Sequence, residues 1–217
     1  MKTIERTHRV QPGEQAPDFD LPTVQEEGTV SLADYRGRRP VFLALFAGLY
    51  CPFCRRSIAR LGGLRDKLEA AGVETLGVVA TELDNARLYF KYRPSRLPLA
   101  ADPEFSIHRA YGVHKIQVDE AMMAAIGAVK INPTGELPEP MSPGPAADLL
   151  DQADGYNRTE ADGRDIERQW PLVKAQFFVD RDGIVRWANV ETEADGLPGI
   201  GKFPSDDEIL AAARMVA

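Results

Sequence analysis

The sequence predicts an α/β protein with a central mixed sheet flanked by helices, and three observations carry that prediction. Short apolar runs alternate with stretches whose apolar residues recur at helical spacing, the pattern of parallel strands joined by crossover helices. Residues 173–180 and 184–188 read as two further strands joined by the tight turn Arg181-Asp182-Gly183. That connection is too short for a crossover and implies an antiparallel hairpin. Between these two parts, residues 115–170 break the alternation and read as an insertion.

The elements follow in order. Pro12 to Pro22 is turn-rich, with Phe19 and Leu21 alternating as in a short edge strand. Residues 30–35 read as a short strand or a helical turn, and 36–40 as a loop. Val41-Phe42-Leu43-Ala44-Leu45-Phe46 is apolar throughout, as expected of a strand buried on both faces. A helix is predicted over about 52–71, from Ile58, Leu61, Leu64 and Leu68, with Gly72 ending it. A strand at 74–80, a helix at 83–91, a short strand at 97–102 and a short helix at 105–111 closed by Gly112 complete the alternating part. In the insertion, 121–126 suits a helical turn, and 132–145 is loaded with proline and glycine. Residues 148–170 are polar and acidic and read as a solvated loop. The excursion reads as a lid, a dimer contact or a mobile surface segment. Ser205 with Glu208 forms a capping box for a last helix over 206–216. The expected sheet has about four or five strands. No linker marks a second domain, so residues 1–217 read as one domain with an insertion at about 115–170.

Composition narrows the function classes. The 217 residues are 44% hydrophobic and 27% charged, an ordinary globular balance. The formal net charge of −7 gives no reason to expect a nucleic acid or an anionic membrane as partner. No apolar run approaches the ~20 residues that span a bilayer. Residues 1–12 carry Lys2, Arg6 and Arg9 without an apolar segment, so no signal peptide is expected and the default location is cytoplasmic. In that compartment a Cys-x-x-Cys pair points to redox chemistry or a metal rather than a structural disulfide. Tetrahedral zinc needs about four ligands. His8, His108 and His114 stand at no ligand spacing from the cysteines, so no metal and no cofactor are expected.

Cys51 and Cys54 are the only cysteines. They sit where the apolar strand turns into the helix, with Pro52 suited to the first helical turn. Unpaired N–H groups and the positive dipole end at such a turn favour a thiolate, the reactive form of cysteine. Arg55 and Arg56 add positive charge nearby. Tyr50 precedes the motif and either borders the site or packs. Trp170 and Trp187 read as packing residues.

Four further stretches carry a family resemblance. Residues 12–21, PGEQAPDFDL, and 30–37, VSLADYRG, are similar to the opening signatures of the peroxiredoxins (alkyl hydroperoxide reductase/thiol-specific antioxidant) of the thioredoxin-like superfamily. Residues 99–103 with 110–113 resemble the segment before that family's last crossover. Residues 177–185, FFVDRDGIV, resemble its closing hairpin. Two departures are visible. The family's Pro-x-x-x-Thr-x-x-Cys signature places Ala47 at the proline, Cys51 at the threonine and Cys54 at the catalytic cysteine. The disulfide reductases of the same fold instead carry Cys-x-x-Cys, which Cys51-Pro52-Phe53-Cys54 satisfies. Those enzymes place a cis-proline before the hairpin strand. Counting back from Phe177 puts that position on Lys174, with Pro171 three residues too early. Many peroxiredoxins have a basic residue near here, and Lys174 is suited to similar work.

The resemblance implies a thioredoxin-like fold and a cytoplasmic antioxidant thiol oxidoreductase whose redox-active centre is the Cys51/Cys54 dithiol. Hydroperoxide reduction is the first reading. There Cys54 is oxidised to a sulfenic acid, Cys51 condenses with it to a disulfide, and Lys174 or Arg55 stabilises the thiolate. Protein disulfide reduction is the alternative, with Cys51 attacking and Cys54 resolving. A non-catalytic redox sensor or binding module is the third. The implied partners are a hydroperoxide or disulfide substrate, a thioredoxin-type or small-thiol electron donor, and a second copy in a homodimer.

Overall fold

A computed structural model describes residues 7–216. Lys2 and Arg6, used in the reading of the N-terminus, lie outside the described residues. The described chain enters through a small antiparallel hairpin. In it β1 (Asp20–Pro22) pairs with β2 (Thr29–Ser31), and Leu21 lies opposite Val30. A 3-10 turn at Leu32–Tyr35 follows directly, so 30–35 is both a strand end and a helical turn. Ser31 makes the switch. Its hydroxyl accepts from the Ala33 N–H at 3.1 Å, while the Asp34 carboxylate accepts from the Ser31 N–H at 2.9 Å.

The main sheet has five strands, within the four or five expected. β3 (Val41–Phe46) is central, with β4 (Glu74–Val79) and then β5 (Leu99–Ala101) on one side. β6 (Ala175–Val179) and then β7 (Val185–Val190) lie on the other. β3, β4 and β5 are parallel, with Phe46 opposite Val79 and Val79 opposite Ala101. β6 runs antiparallel to β3, with Leu45 opposite Ala175, and β7 returns along β6. The crossovers are α1 (Pro52–Ala70) and α2 (Leu83–Tyr92). α3 (Ser106–Ala110) follows β5, and α7 (Asp206–Ala213) is the last helix, stopping short of the expected 216, with residues 214–216 in a turn. The Ser205–Glu208 capping box forms as predicted.

All six β3 residues are buried because the strand is covered on both faces. Phe42, Ala44 and Phe46 join Ile58, Leu61, Leu64 and Leu68 of α1 in one core layer. Val41, Leu43 and Leu45 join Tyr111 and Phe177 in the other. This doubly supported strand delivers the chain to the start of α1.

Residues 115–170 differ from the sequence reading. The segment holds α4 (Glu120–Ala128), α5 (Pro143–Ala153) and α6 (Glu160–Gln169), where a turn and a solvated loop were expected. Proline and glycine at 143–145 open α5 instead of breaking it, because the first helical turn needs no N–H from Pro143. Thr159 and Asp162 form a capping box that starts α6. Several acids are buried with partners: Asp151 with Arg55, Asp162 with Tyr156, and Asp165 with Arg168. A third apolar cluster, Phe53 with Ile131, Leu137, Ala146 and Leu150, seats this region on the start of α1. Among the described residues no helix is long and apolar enough to cross a membrane.

Candidate active site

β3 ends at Phe46, and five residues later Cys51 is the N-cap of α1, with Pro52 in the first turn. The loop between them is fixed by its own bonds. The Leu49 N–H donates to the Thr81 hydroxyl at 3.0 Å, and the Cys51 N–H donates to the Gly48 carbonyl at 3.1 Å. A Cβ at Gly48 would stand 2.6 Å from the Tyr50 ring, so a residue without one lets that ring fold back over the loop. Tyr50 is buried there. Its phenol is held protonated, with a pKa well above the usual value, first by burial and then by the two cysteines.

The two free thiols are not equivalent. Cys51 is partly exposed, whereas Cys54 is fully buried. The Cys54 N–H points at the Cys51 sulfur at 3.4 Å. Cys51 is lowered to a pKa of about 7, first by a hydrogen bond from the Cys54 thiol, against burial, and with help from the Lys174 charge and the Cys54 N–H. Cys54 is pushed well above an ordinary thiol, first by burial and then by the hydrogen bond and charge of Cys51. Deprotonation of the pair therefore starts at Cys51.

Lys174 lies just before β6 and is among the largest fully buried side chains. Its ammonium donates to the Gly201 carbonyl at 2.8 Å and stands 3.5 Å from the Glu191 carboxylate. Burial disfavours the charge, but Glu191 and the two sulfurs outweigh it and raise the Lys174 pKa. Glu191 also accepts from the Lys174 N–H at 2.8 Å and from the Gly201 N–H. Sequence reasoning missed Glu191. It follows β7 directly in an otherwise unremarkable acidic run, and only the sheet register brings it opposite Lys174.

Cys51, Cys54 and Tyr50 line one cavity of about 540 Å³, with Glu191 at its wall and Met123, Ile126 and Trp170 among its apolar residues. The insertion supplies much of that wall. Trp170 is 41% exposed at the mouth, so its reading as a packing residue is corrected. Trp187 packs against Phe42 and Phe178 as expected. Pro171 also lines the cavity, and the Trp170–Pro171 peptide is cis. The register that put a cis-proline at Lys174 is thus corrected: the cis peptide precedes Pro171, and Leu172 and Val173 separate that proline from Lys174. Arg55 is separate from this group and does not line the cavity. It is buried beneath α5, bound to Asp151 and to the Leu49 carbonyl.

The AhpC/TSA family model matches residues 12–140, well over half of the chain. The chain belongs to the AhpC/TSA family. A Mycobacterium tuberculosis protein provisionally assigned as a peroxiredoxin is 28% identical over 109 residues, which is 50% of this chain and 68% of that protein. The thiol-disulfide oxidoreductase ResA of Halalkalibacterium halodurans is 31% identical over 131 residues, covering 59% of this chain and 72% of that protein. The crystal structure of the peroxidoxin BcpB from Mycobacterium tuberculosis superimposes with a TM-score of 0.59 at 15% identity. It covers 96% of this chain and 99% of that one, and shows the shared fold. This AhpC/TSA member is a peroxiredoxin-like, thiol-dependent oxidoreductase with a thioredoxin-like fold. Its cysteine pair follows the spacing of a dithiol rather than a single-thiol signature.

Proposed function

We propose that this protein reduces hydroperoxides through Cys51 and Cys54, with Cys51 as the attacking thiolate. One observation carries the assignment: the partly exposed thiol at the helix N-cap is the acidic one, and the buried thiol is held protonated. The Cys51 thiolate attacks the terminal peroxide oxygen and breaks the O–O bond. The alkoxide or hydroxide leaves and takes a proton from solvent, and Cys51 becomes a sulfenic acid. Cys54 then condenses with it, giving a Cys51–Cys54 disulfide and water. A dithiol donor of the thioredoxin type, or a small thiol, returns the pair to the reduced state. Lys174 supports the thiolate by its charge, Glu191 keeps that lysine protonated, and Tyr50 closes the site from the loop side.

This reading reverses the roles that the family signature gives the two cysteines. Disulfide reduction is the second reading. The Cys-x-x-Cys spacing and the similarity to the thiol-disulfide oxidoreductase ResA favour it, and it uses the same attacking sulfur. A sensor or binding role without turnover is the third. The proposal further includes a cytoplasmic antioxidant role, a single domain with an insertion at about 115–170, and a homodimer, which light scattering tests.

The deciding experiment follows peroxide consumption with dithiothreitol or a thioredoxin donor in wild type, Cys51→Ser and Cys54→Ser. Cys51→Ser is expected to be inactive, and Cys54→Ser to accumulate a dimedone-trappable sulfenic acid on Cys51. Trapping on Cys54 instead would restore the family order. Insulin reduction without peroxide turnover would install the disulfide reductase, and silence in both assays the sensor.

A further inference from the structure

Arg55 is 5% exposed and joins two parts of the molecule that are far apart in sequence. Toward the thiol loop, its Nη1 donates to the Leu49 carbonyl at 2.8 Å, two residues before Cys51. Toward the insertion, its Nη2 donates to Asp151 at 2.5 Å and to Asp154 at 3.3 Å, both at the C-terminal end of α5. Its guanidinium also lies over the Tyr156 ring, 3.9 Å from the centroid. At its other end α5 supplies Pro143, Gly144 and Ala147 to the wall of the thiol cavity. A planar guanidinium with directed donors holds several acceptors in fixed relative positions, which a flexible ammonium does not.

We infer that Arg55 is a positioning residue that couples the α5 wall of the thiol cavity to the loop carrying Cys51. The inference rests on the reading in which Cys51 is the attacking thiol. Releasing Arg55 from Asp151 frees the Leu49 carbonyl from its anchor and lets α5 shift. The Cys51 sulfur then loses its alignment with Cys54, whose thiol and backbone N–H both hydrogen-bond it, and its acidity moves back toward that of an ordinary thiol.

The test measures alkylation of Cys51 by iodoacetamide against pH, with the site identified by mass spectrometry, together with hydrogen exchange across 143–153. It uses the full chain as wild type, Arg55→Gln, Arg55→Lys, Asp151→Asn and the double variant Arg55→Gln/Asp151→Asn. At pH 7, Arg55→Gln and Asp151→Asn are each expected to slow alkylation about three- to tenfold and to speed exchange in α5. Arg55→Lys restores part of both. Asp151 also pairs with Arg158 at 3.0 Å, so Asp151→Asn loosens α5 by a second route. On Cys51 alkylation, however, the double variant is no worse than Arg55→Gln, because there both substitutions act through the one Arg55–Asp151 bond. A looser α5 with an unchanged Cys51 profile overturns the inference, as do additive effects on Cys51 alkylation. Should Arg55→Gln fail to fold, Asp151→Asn decides alone. Alkylation needs no natural substrate, so failure of peroxide turnover and failure of this coupling are read separately.

Discussion

The Lys174 ammonium stands 3.5 Å from the Glu191 carboxylate, and its charge acts on both cysteine sulfurs. Glu191 binds the Lys174 backbone N–H as well as its side chain, so the carboxylate fixes the lysine in place and in charge. Without Glu191 only the Gly201 carbonyl and the two sulfurs would offset the desolvation of a fully buried ammonium.

Removing the lysine should therefore act on stability and acidity together. Lys174→Met strands a carboxylate that is only 10% exposed, and is expected to cost about 3 kcal/mol or more in urea unfolding. The double variant Lys174→Met/Glu191→Gln should recover most of that loss. The lysine lowers the Cys51 pKa and the glutamate raises it by less. The alkylation midpoint should thus rise from wild type to the double variant and again to Lys174→Met. Coincident midpoints in all three would show that the pair does not act on the thiol.

The pH profile of the wild-type thiol is a separate prediction. Alkylation of Cys51 should rise through a midpoint at about pH 7 and fall about tenfold for each unit well below it. Cys54 should stay unmodified across that range. The largest cause of the low Cys51 value is the hydrogen bond from Cys54. Cys54→Ala should then move the midpoint toward the ordinary thiol value of 9.0, and Cys54→Ser, which keeps a donor, should move it less.

His108 predicts acid sensitivity. It is fully buried on α3, and neither ring nitrogen has a hydrogen-bond partner among the described residues. Burial lowers its pKa from 6.5 to about 3. The sign follows from linkage. The unfolded chain binds a proton below pH 6.5 while the folded chain stays neutral, so stability falls as pH drops toward 3. Between pH 7 and 4.5 this one group should remove about 2–3 kcal/mol. His108→Leu should lack that loss and be at least as stable as wild type at pH 7, measured by urea midpoints. Equal pH slopes in the two proteins would contradict the assignment.

The order of strands and crossovers was legible because burial imposes periodicity. The fully apolar 41–46 run could only be a doubly covered strand, and Gly72 and Gly112 marked helix ends by their backbone freedom. The cysteine pair was equally legible from its place at a strand-to-helix turn. The insertion was not, because its helices are polar and their buried acids look solvated until partners such as Arg55 and Tyr156 are found. Glu191 was invisible for the same reason. Its role comes from β-sheet register with Lys174, a non-local relation that no short motif records. Arg55 was noticed for its charge near the thiols, yet the charge is aimed at α5.

Two glycines that the sequence treats alike should behave differently. Gly72 ends α1 with φ near +80°, and a Cβ there would meet nothing within 4 Å. Gly72→Ala should therefore cost only the left-handed backbone penalty of about 1–2 kcal/mol. Gly112 ends α3 with φ near +70°, but the irregular segment at His8 and Arg9 passes directly over it. A Cβ there would stand 2.2 Å from the His8 carbonyl oxygen and 2.6 Å from the Arg9 Cα. Backbone cannot rotate away as a side chain can, and the neighbouring Val10 N–H is bonded to the Tyr111 carbonyl at 3.0 Å. Gly112→Ala must push residues 8–10 off α3 and should cost more than about 4 kcal/mol in thermal or urea unfolding. Similar losses in the two variants would mean that residues 8–10 do not press on Gly112 in solution.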